Sequence, residues 1–232
     1  MREKDLCESE IYESRFAFKE RNSNFRFLLV VLAMLLALSW FWWYWGNNFG
    51  VVVVDGGSMR KTLADGDKLV MRYIDVGEAK RGDVIVVDVS GYEECASVKS
   101  GFLIKRLIAK EGDSLWCKDG QIYIWYAEEK ERVPNKENYV PLSEPYAYYG
   151  QNEHYKKEYD FGVYHVGEGE VFFLGDNRSS LGSSVDSRFD QGKNGSHLAE
   201  SQKLYKEKDV CAIVSDWSIR NKGIWDSIFF WA

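Results

Sequence analysis

The sequence predicts one N-terminal membrane-spanning helix followed by a mostly β domain. Two observations carry this reading. Residues 27–46, FLLVVLAMLLALSWFWWYWG, contain no charge and no proline, and about twenty helical residues span roughly 30 Å, the thickness of a bilayer core. Beyond them come short runs rich in β-branched and aromatic residues, separated by glycine–aspartate turn signals.

The helix is read first. The 27–46 run is apolar on every face, unlike a helix with one buried stripe. It exceeds the ~7–15-residue core of a cleaved secretory leader, and no small-x-small cleavage site follows it, so it reads as an uncleaved anchor. Trp40, Phe41, Trp42, Trp43, Tyr44 and Trp45 form an aromatic cluster suited to one membrane interface. Arg15, Lys19, Arg21 and Arg26 precede the span closely, whereas the first basic residue after it is Arg60. The positive-inside rule therefore expects residues 1–26 to be a cytoplasmic tail and residues 47–232 to lie outside the cytoplasm.

The β runs follow in order: Val51–Val54, Lys68–Tyr73, Asp83–Val89, Phe102–Ile108, Gln121–Trp125 and Val171–Leu174. Asp65-Gly66-Asp67, Arg81-Gly82-Asp83, Glu111-Gly112-Asp113 and Asp119-Gly120 punctuate them. This spacing expects a mostly β domain, not βαβ units. Residues 126–159 are polar and rich in Tyr, Glu and Lys, and read as an inserted surface excursion. Residues 193–208 read as a polar loop of weak helical character. The terminal IWDSIFFWA is too short to span a bilayer and reads as a last strand packing on the domain, or as an aromatic edge touching headgroups.

Composition excludes several classes. The net charge of −6 gives no basis for nucleic-acid binding. The four cysteines, Cys7, Cys95, Cys117 and Cys211, have no CxxC spacing, so no metal site is expected, and a Cys95–Cys117 bridge stays open. No cofactor is expected.

Three features can carry chemistry. Gly56-Gly57-Ser58-Met59 follows a strand shortly after the anchor, and glycines let backbone approach a ligand. Taken alone it is a turn. Lys105 lies in FLIKRLI, where alternation puts Leu103, Lys105 and Leu107 on one face. Lysine normally titrates near ~10.4, and desolvation disfavours its ammonium and makes it a usable base. Taken alone it is a strand lysine. Gly175-Asp176-Asn177-Arg178 and Ser184-Val185-Asp186-Ser187-Arg188 form two clusters suited to a polar network joining loops.

Order and company lift these features above their separate readings. SMRKTLADGDKLV at 58–70, RGDVIVV at 81–87, IKRLIAKEGD at 104–113 and the Gly-Asp-Asn-Arg … Ser-Val-Asp-Ser-Arg stretch at 175–188 resemble, in order, the sequence boxes of the type I signal peptidases. EPY at 144–146 and the strand entering 175 are similar as well, so the resemblance covers about residues 27–192. It implies a signal-peptidase-like antiparallel β-sheet domain in which Ser58 is nucleophile and Lys105 general base. Ser184 would orient the lysine, with Ser183 or Ser180 as alternatives because SSLGSS lengthens that link. Asp186 and Arg188 would pair, and Asp176, Asn177 and Arg178 would be scaffold. Val54, Gly56, Gly57, Met59 and Leu103 are expected to contact substrate. The partners implied are signal peptides of exported preproteins and the lipid bilayer, with a monomer expected.

Besides the longer SSLGSS link, the chain departs from the family's pattern at three places. Lys61 and Glu111 stand where proline is usual, and Gly56 stands where some members have serine, so an oxyanion hole must rely on backbone N–H groups, including that of Ser58. The three histidines, His154, His165 and His197, lie outside all the boxes and are read as surface residues. Two alternatives accompany the peptidase reading: a non-catalytic membrane-anchored scaffold, and a narrow-substrate conjugation-type processing peptidase.

Overall fold

The computed structural model describes residues 3–92, 95, 98, 100–128, 137–150, 156, 159–179 and 205–228, with side chains from 24 onward apart from 225 and 226. The chain divides into two units, residues 1–48 and 49–232.

The first unit is one helix, α1 (Glu3–Asn48), continuous through the basic segment and the apolar run. Its portion Asn24–Asn48, 25 residues, is long and apolar enough to cross a membrane. Ser39 Oγ donates back to Leu35 O. At the C-terminus, Asn47 and Asn48 donate side-chain N–H groups to Trp43 O and Tyr44 O at 2.9 and 2.8 Å.

The second unit is built on two antiparallel sheets. Its strands are β1 (Phe49–Val53), β2 (Lys68–Tyr73), β3 (Val84–Asp88), β4 (Phe102–Lys110), β5 (Ser114–Lys118), β6 (Gln121–Trp125), β7 (Val140–Pro141), β8 (Phe161–His165), β9 (Glu170–Leu174), β10 (Tyr205–Lys206) and β11 (Val210–Val214). One sheet has the order β1-β2-β11-β3-β4-β9-β10, the other β7-β6-β5-β8. All six runs read from composition are strands. The turn Asp119-Gly120 closes the β5–β6 hairpin with φ of 50° and 73°, the paired positive values that match strand twist in a two-residue loop.

The strands that composition did not single out are β5, β7, β8, β10 and β11. Of these β11 matters most, because it lies between β2 and β3. Its VCAIV alternates buried and half-buried positions, a period-2 signal hidden by a short, cysteine-containing run. The polar 193–208 stretch ends in β10 and a 3-10 turn at Glu207–Asp209, and 193–204 lies outside the described residues.

The expectation of a terminal strand over 224–232 is corrected as far as Ile228, and 229–232 lie outside the described residues. After β11 come two short helices, α2 (Asp216–Arg220) and α3 (Lys222–Ile228). Ser215 starts α2 by accepting from Ser218 N, and Lys222 Nζ pairs with Asp67 Oδ2 at 2.5 Å. Within 126–159, β7 adds to the second sheet, and Tyr149 and Leu142 pack against a core that includes Tyr159. Cys95 and Cys117 are free and belong to separate core clusters, so they are not bridged.

The large sheet buries both faces. Ile85, Val87, Leu103 and Leu107 pack with Val171 and Phe173 on one side, while Val84 and Val86 pack with Met59, Leu63, Leu69 and Val214 on the other. The all-valine-and-isoleucine stretch of β3 is wholly buried, which explains its unbroken apolar sequence. In a flat sheet, four strand spacings of ~4.8 Å would separate β1 from β4 by ~19 Å. The sheet curls and the loop after β1 folds inward, so residues from both strands line one groove.

Candidate active site

Pairing continues just past β1, where Val54 N donates to Asp67 O and Gly66 N to Val54 O. The chain then leaves the sheet at Gly56, whose φ of 87° lies in the left-handed region that favours glycine. Asp65 Oδ1 accepts from Gly56 N at 2.8 Å. A turn follows, with Arg60 N donating to Gly57 O and Leu63 N to Met59 O. Met59 and Leu63 are buried and anchor that turn in the core. Ser58 is half-buried at its start. Lys61, where the family usually has proline, has φ 88°, which a proline ring locked near −65° cannot adopt.

Lys105 arrives from the centre of β4, opposite Ile85 on β3. It is only 1% exposed, and its Nζ is hydrogen-bonded to Ser58 Oγ at 2.6 Å. The two residues that sequence reasoning paired, 47 positions apart, are thus in contact.

The 175–178 segment packs behind the serine loop. A Cβ on Gly175 would lie 2.4 Å from Ser58 O, so this approach admits only glycine. Asn177 N donates to Ser58 O at 2.9 Å, and Asn177 Nδ2 to Gly57 O at 2.8 Å. Asp176, fully buried, accepts a two-pronged contact from Arg106 Nε and Nη2 at 2.7 and 2.6 Å, and one from Thr62 Oγ1 at 2.5 Å. Arg106 also donates to Gly82 O and lies over the Tyr146 ring. Burial alone would lower the Arg106 pKa, but Asp176 outweighs it and raises it. Burial, reinforced by the Glu144 charge, pushes the Tyr146 phenol up. Arg178 donates to Gly175 O and to Glu144 Oε1 at 2.8 Å. Ser184, Asp186 and Arg188, with Ser180 and Ser183, lie outside the described residues.

Farther back, Arg81 grips Asp113 with Nε and Nη2 at 2.6 and 2.8 Å, which joins the second box to the end of the third. Asp113 raises the Arg81 pKa. Tyr148 joins the same frame, its N–H donating to Asp176 O and its carbonyl accepting from Arg178 N. Thr62, Arg106 and Tyr148 thus belong to the frame without having been singled out, while Glu144 and Tyr146 come from the EPY stretch noted for its resemblance. Arg106 was legible beside Lys105, because an arginine on a buried strand needs an acid.

In front of the pair opens a groove of about 1070 Å³. Val54, Gly56, Gly57, Met59 and Leu103 all line it together with Ser58 and Lys105, as do Val52 and Ile104 from the expected Val51–Gly57 and Phe102–Ile104 segments, and Val86, Met71, Tyr73 and Cys211, which were not foreseen.

A family model described as signal peptidase, peptidase S26, matches residues 24–202. The chain belongs to the peptidase S26 signal peptidase family. The signal peptidase I of Bacillus licheniformis is 34% identical over 66% of this chain and 70% of its own length. Signal peptidase I T of Bacillus subtilis (strain 168) is 33% identical over 59% of this chain and 62% of that protein, so the match spans slightly under two thirds of it. A crystal structure of a signal peptidase I from Enterococcus faecalis V583 aligns with 61% of this chain and 100% of that chain, at 21% identity and a TM-score of 0.31. The family places the chain in the serine endopeptidase class of hydrolases.

Proposed function

We propose that this S26 family member is a membrane-anchored endopeptidase that removes signal peptides from exported preproteins with a Ser58/Lys105 dyad. The observation that carries the reading is the 2.6 Å hydrogen bond between a half-buried serine and a buried lysine at the head of a largely apolar groove. Burial of Lys105 favours the neutral amine, the form able to act as a base. Lys105 Nζ takes the Ser58 Oγ proton as Oγ attacks the scissile carbonyl, giving a tetrahedral oxyanion. As this intermediate collapses, the Lys105 ammonium gives that proton to the departing nitrogen, which leaves as the amine of the mature protein, and an acyl-enzyme remains. Neutral again, Lys105 takes a proton from water as the water attacks the ester, and returns it to Ser58 Oγ as the second intermediate collapses. The Ser58 N–H is the candidate oxyanion donor. Ser184 is assigned to orient the lysine, and Asp186 with Arg188 to brace its loop.

The substrate lies extended between the Val51–Gly57 segment and Phe102–Ile104, as an added strand. Apolar walls at Val54, Met59, Val86 and Ile104 suit small side chains. The apolar helix is assigned as the anchor, with residues 1–26 cytoplasmic and the β domain outside.

Cleavage of a preprotein in detergent or lipid by wild type, and its loss in Ser58→Ala and Lys105→Ala, is the expected result. Cleavage that persists in both variants rejects the dyad. Protease added outside spheroplasts should cut within 126–159, and protection of that segment rejects the orientation.

A further inference from the structure

The groove changes character along its length. Near Ser58 its floor is Val54, Met59, Val86 and Ile104. Register then carries it from the Val86–Ile104 pair to the next pair on the same face, Asp88 and Phe102. Tyr73 and Ser100 complete this far end.

Asp88 is the one charged side chain there among the described residues lining the groove. Its Oδ1 accepts from Ser90 N at 2.9 Å and Ser90 Oγ at 2.7 Å. Those bonds lower its pKa, the hydroxyl contributing most, so it is a carboxylate at neutral pH. Among the described residues no cation pairs with it. Cys211, which lines the same groove and donates its thiol to Val86 O, has its pKa pushed up by burial, with the Asp88 charge adding to the effect.

An extended peptide presents side chains to one face every second residue, ~6.6–6.8 Å apart. With the first residue before the cut at Val54 and Met59, the third meets Val86 and Ile104, and the fifth meets Asp88.

We infer that Asp88, Tyr73, Ser100 and Phe102 form a distal subsite that takes a cationic side chain, lysine or arginine, at the fifth position before the scissile bond. The inference rests on the peptidase reading for the direction of the substrate. Lysine's methylenes lie along Phe102 and its ammonium reaches Asp88, the arrangement long basic side chains adopt on an apolar wall.

The test uses full-length protein in detergent and one signal-region peptide carrying Lys, Ala or Glu at that fifth position. Affinities are measured with the Ser58→Ala variant, and kcat/KM with wild type. Lysine should bind about 3- to 5-fold more tightly than alanine, and glutamate more weakly than either. Asp88→Asn should abolish the ranking, and Asp88→Lys should invert it. Equal affinities for lysine and glutamate, or a ranking that survives Asp88→Asn, overturn the subsite. If wild type cleaves no peptide while the binding ranking holds, the dyad reading fails and the cationic subsite stands.

Discussion

Substituting alanine at Gly175 tests how closely the frame sets the nucleophile. The new Cβ would sit 2.4 Å from Ser58 O, 3.3 Å from Ser58 C and 3.5 Å from Ser58 Cβ. Ordinary contact begins near 3.4 Å, so the backbone on one side must give by about 1 Å. Gly175 is held by Arg178, which donates to its carbonyl and is itself buried against Glu144. The Ser58 loop leaves the sheet through two exposed glycines and is the softer partner. The displacement therefore falls on Ser58 and strains its contacts to Asn177 and Lys105. Overpacking of this kind costs about 1–3 kcal/mol of stability. A misplacement of ~1 Å at a reacting group costs on the order of 100-fold in rate. Peptide cleavage should therefore lose about 100-fold in kcat with KM nearly unchanged, while thermal unfolding reports only the modest destabilisation. Wild-type kcat in a folded Gly175→Ala protein would refute the argument that this contact positions the nucleophile.

Four further outcomes are expected. Thr62→Val removes one of three hydrogen bonds to buried Asp176 and should destabilise by about 1 kcal/mol in denaturant titration, whereas Arg106→Ala strands that carboxylate and should cost about 3–5 kcal/mol. Lys61→Gly should stabilise by about 1 kcal/mol, and Lys61→Pro, the usual family residue, should destabilise, because φ is 88° here; thermal melts check both. Arg81→Ala should cost about 3 kcal/mol by leaving Asp113 without its guanidinium, and a cost below 0.5 kcal/mol would discount that link. The Cys211 thiol has a raised pKa, and only the thiolate reacts, so mass-mapped alkylation should climb at higher pH than for a free cysteine, ~8.5. Cys95 and Cys117 should stay unlabelled until the fold opens.

Much of the architecture was readable because it is encoded locally. Lys68–Tyr73 and Gln121–Trp125 carry strand composition between turn residues, and their bounds in the structure agree residue for residue. The strand at 210–214 was overlooked because its neighbours in sequence are charged and its apolar alternation is short. It is a strand because β2 and β3 pair with it on both sides. The stretch after β11 is helical for a similar reason: Ser215 caps α2 and Ser218 Oγ accepts from Val70 N, a contact 148 residues away that no local pattern announces.

Residue type, period and spacing over a few positions carry the apolar span and most strands of the large sheet, whereas the pairing of Ser58 with Lys105 was implied by the resemblance of the ordered boxes to those of a known family. Folding is what reveals that Asp176 is shared by Arg106 and Thr62, that Gly175 must be glycine against Ser58, and that Asp88 lines the apolar groove. Each of those depends on a curled sheet bringing together segments more than a dozen positions apart. Such contacts follow from strand order and sheet curvature, which no residue encodes alone.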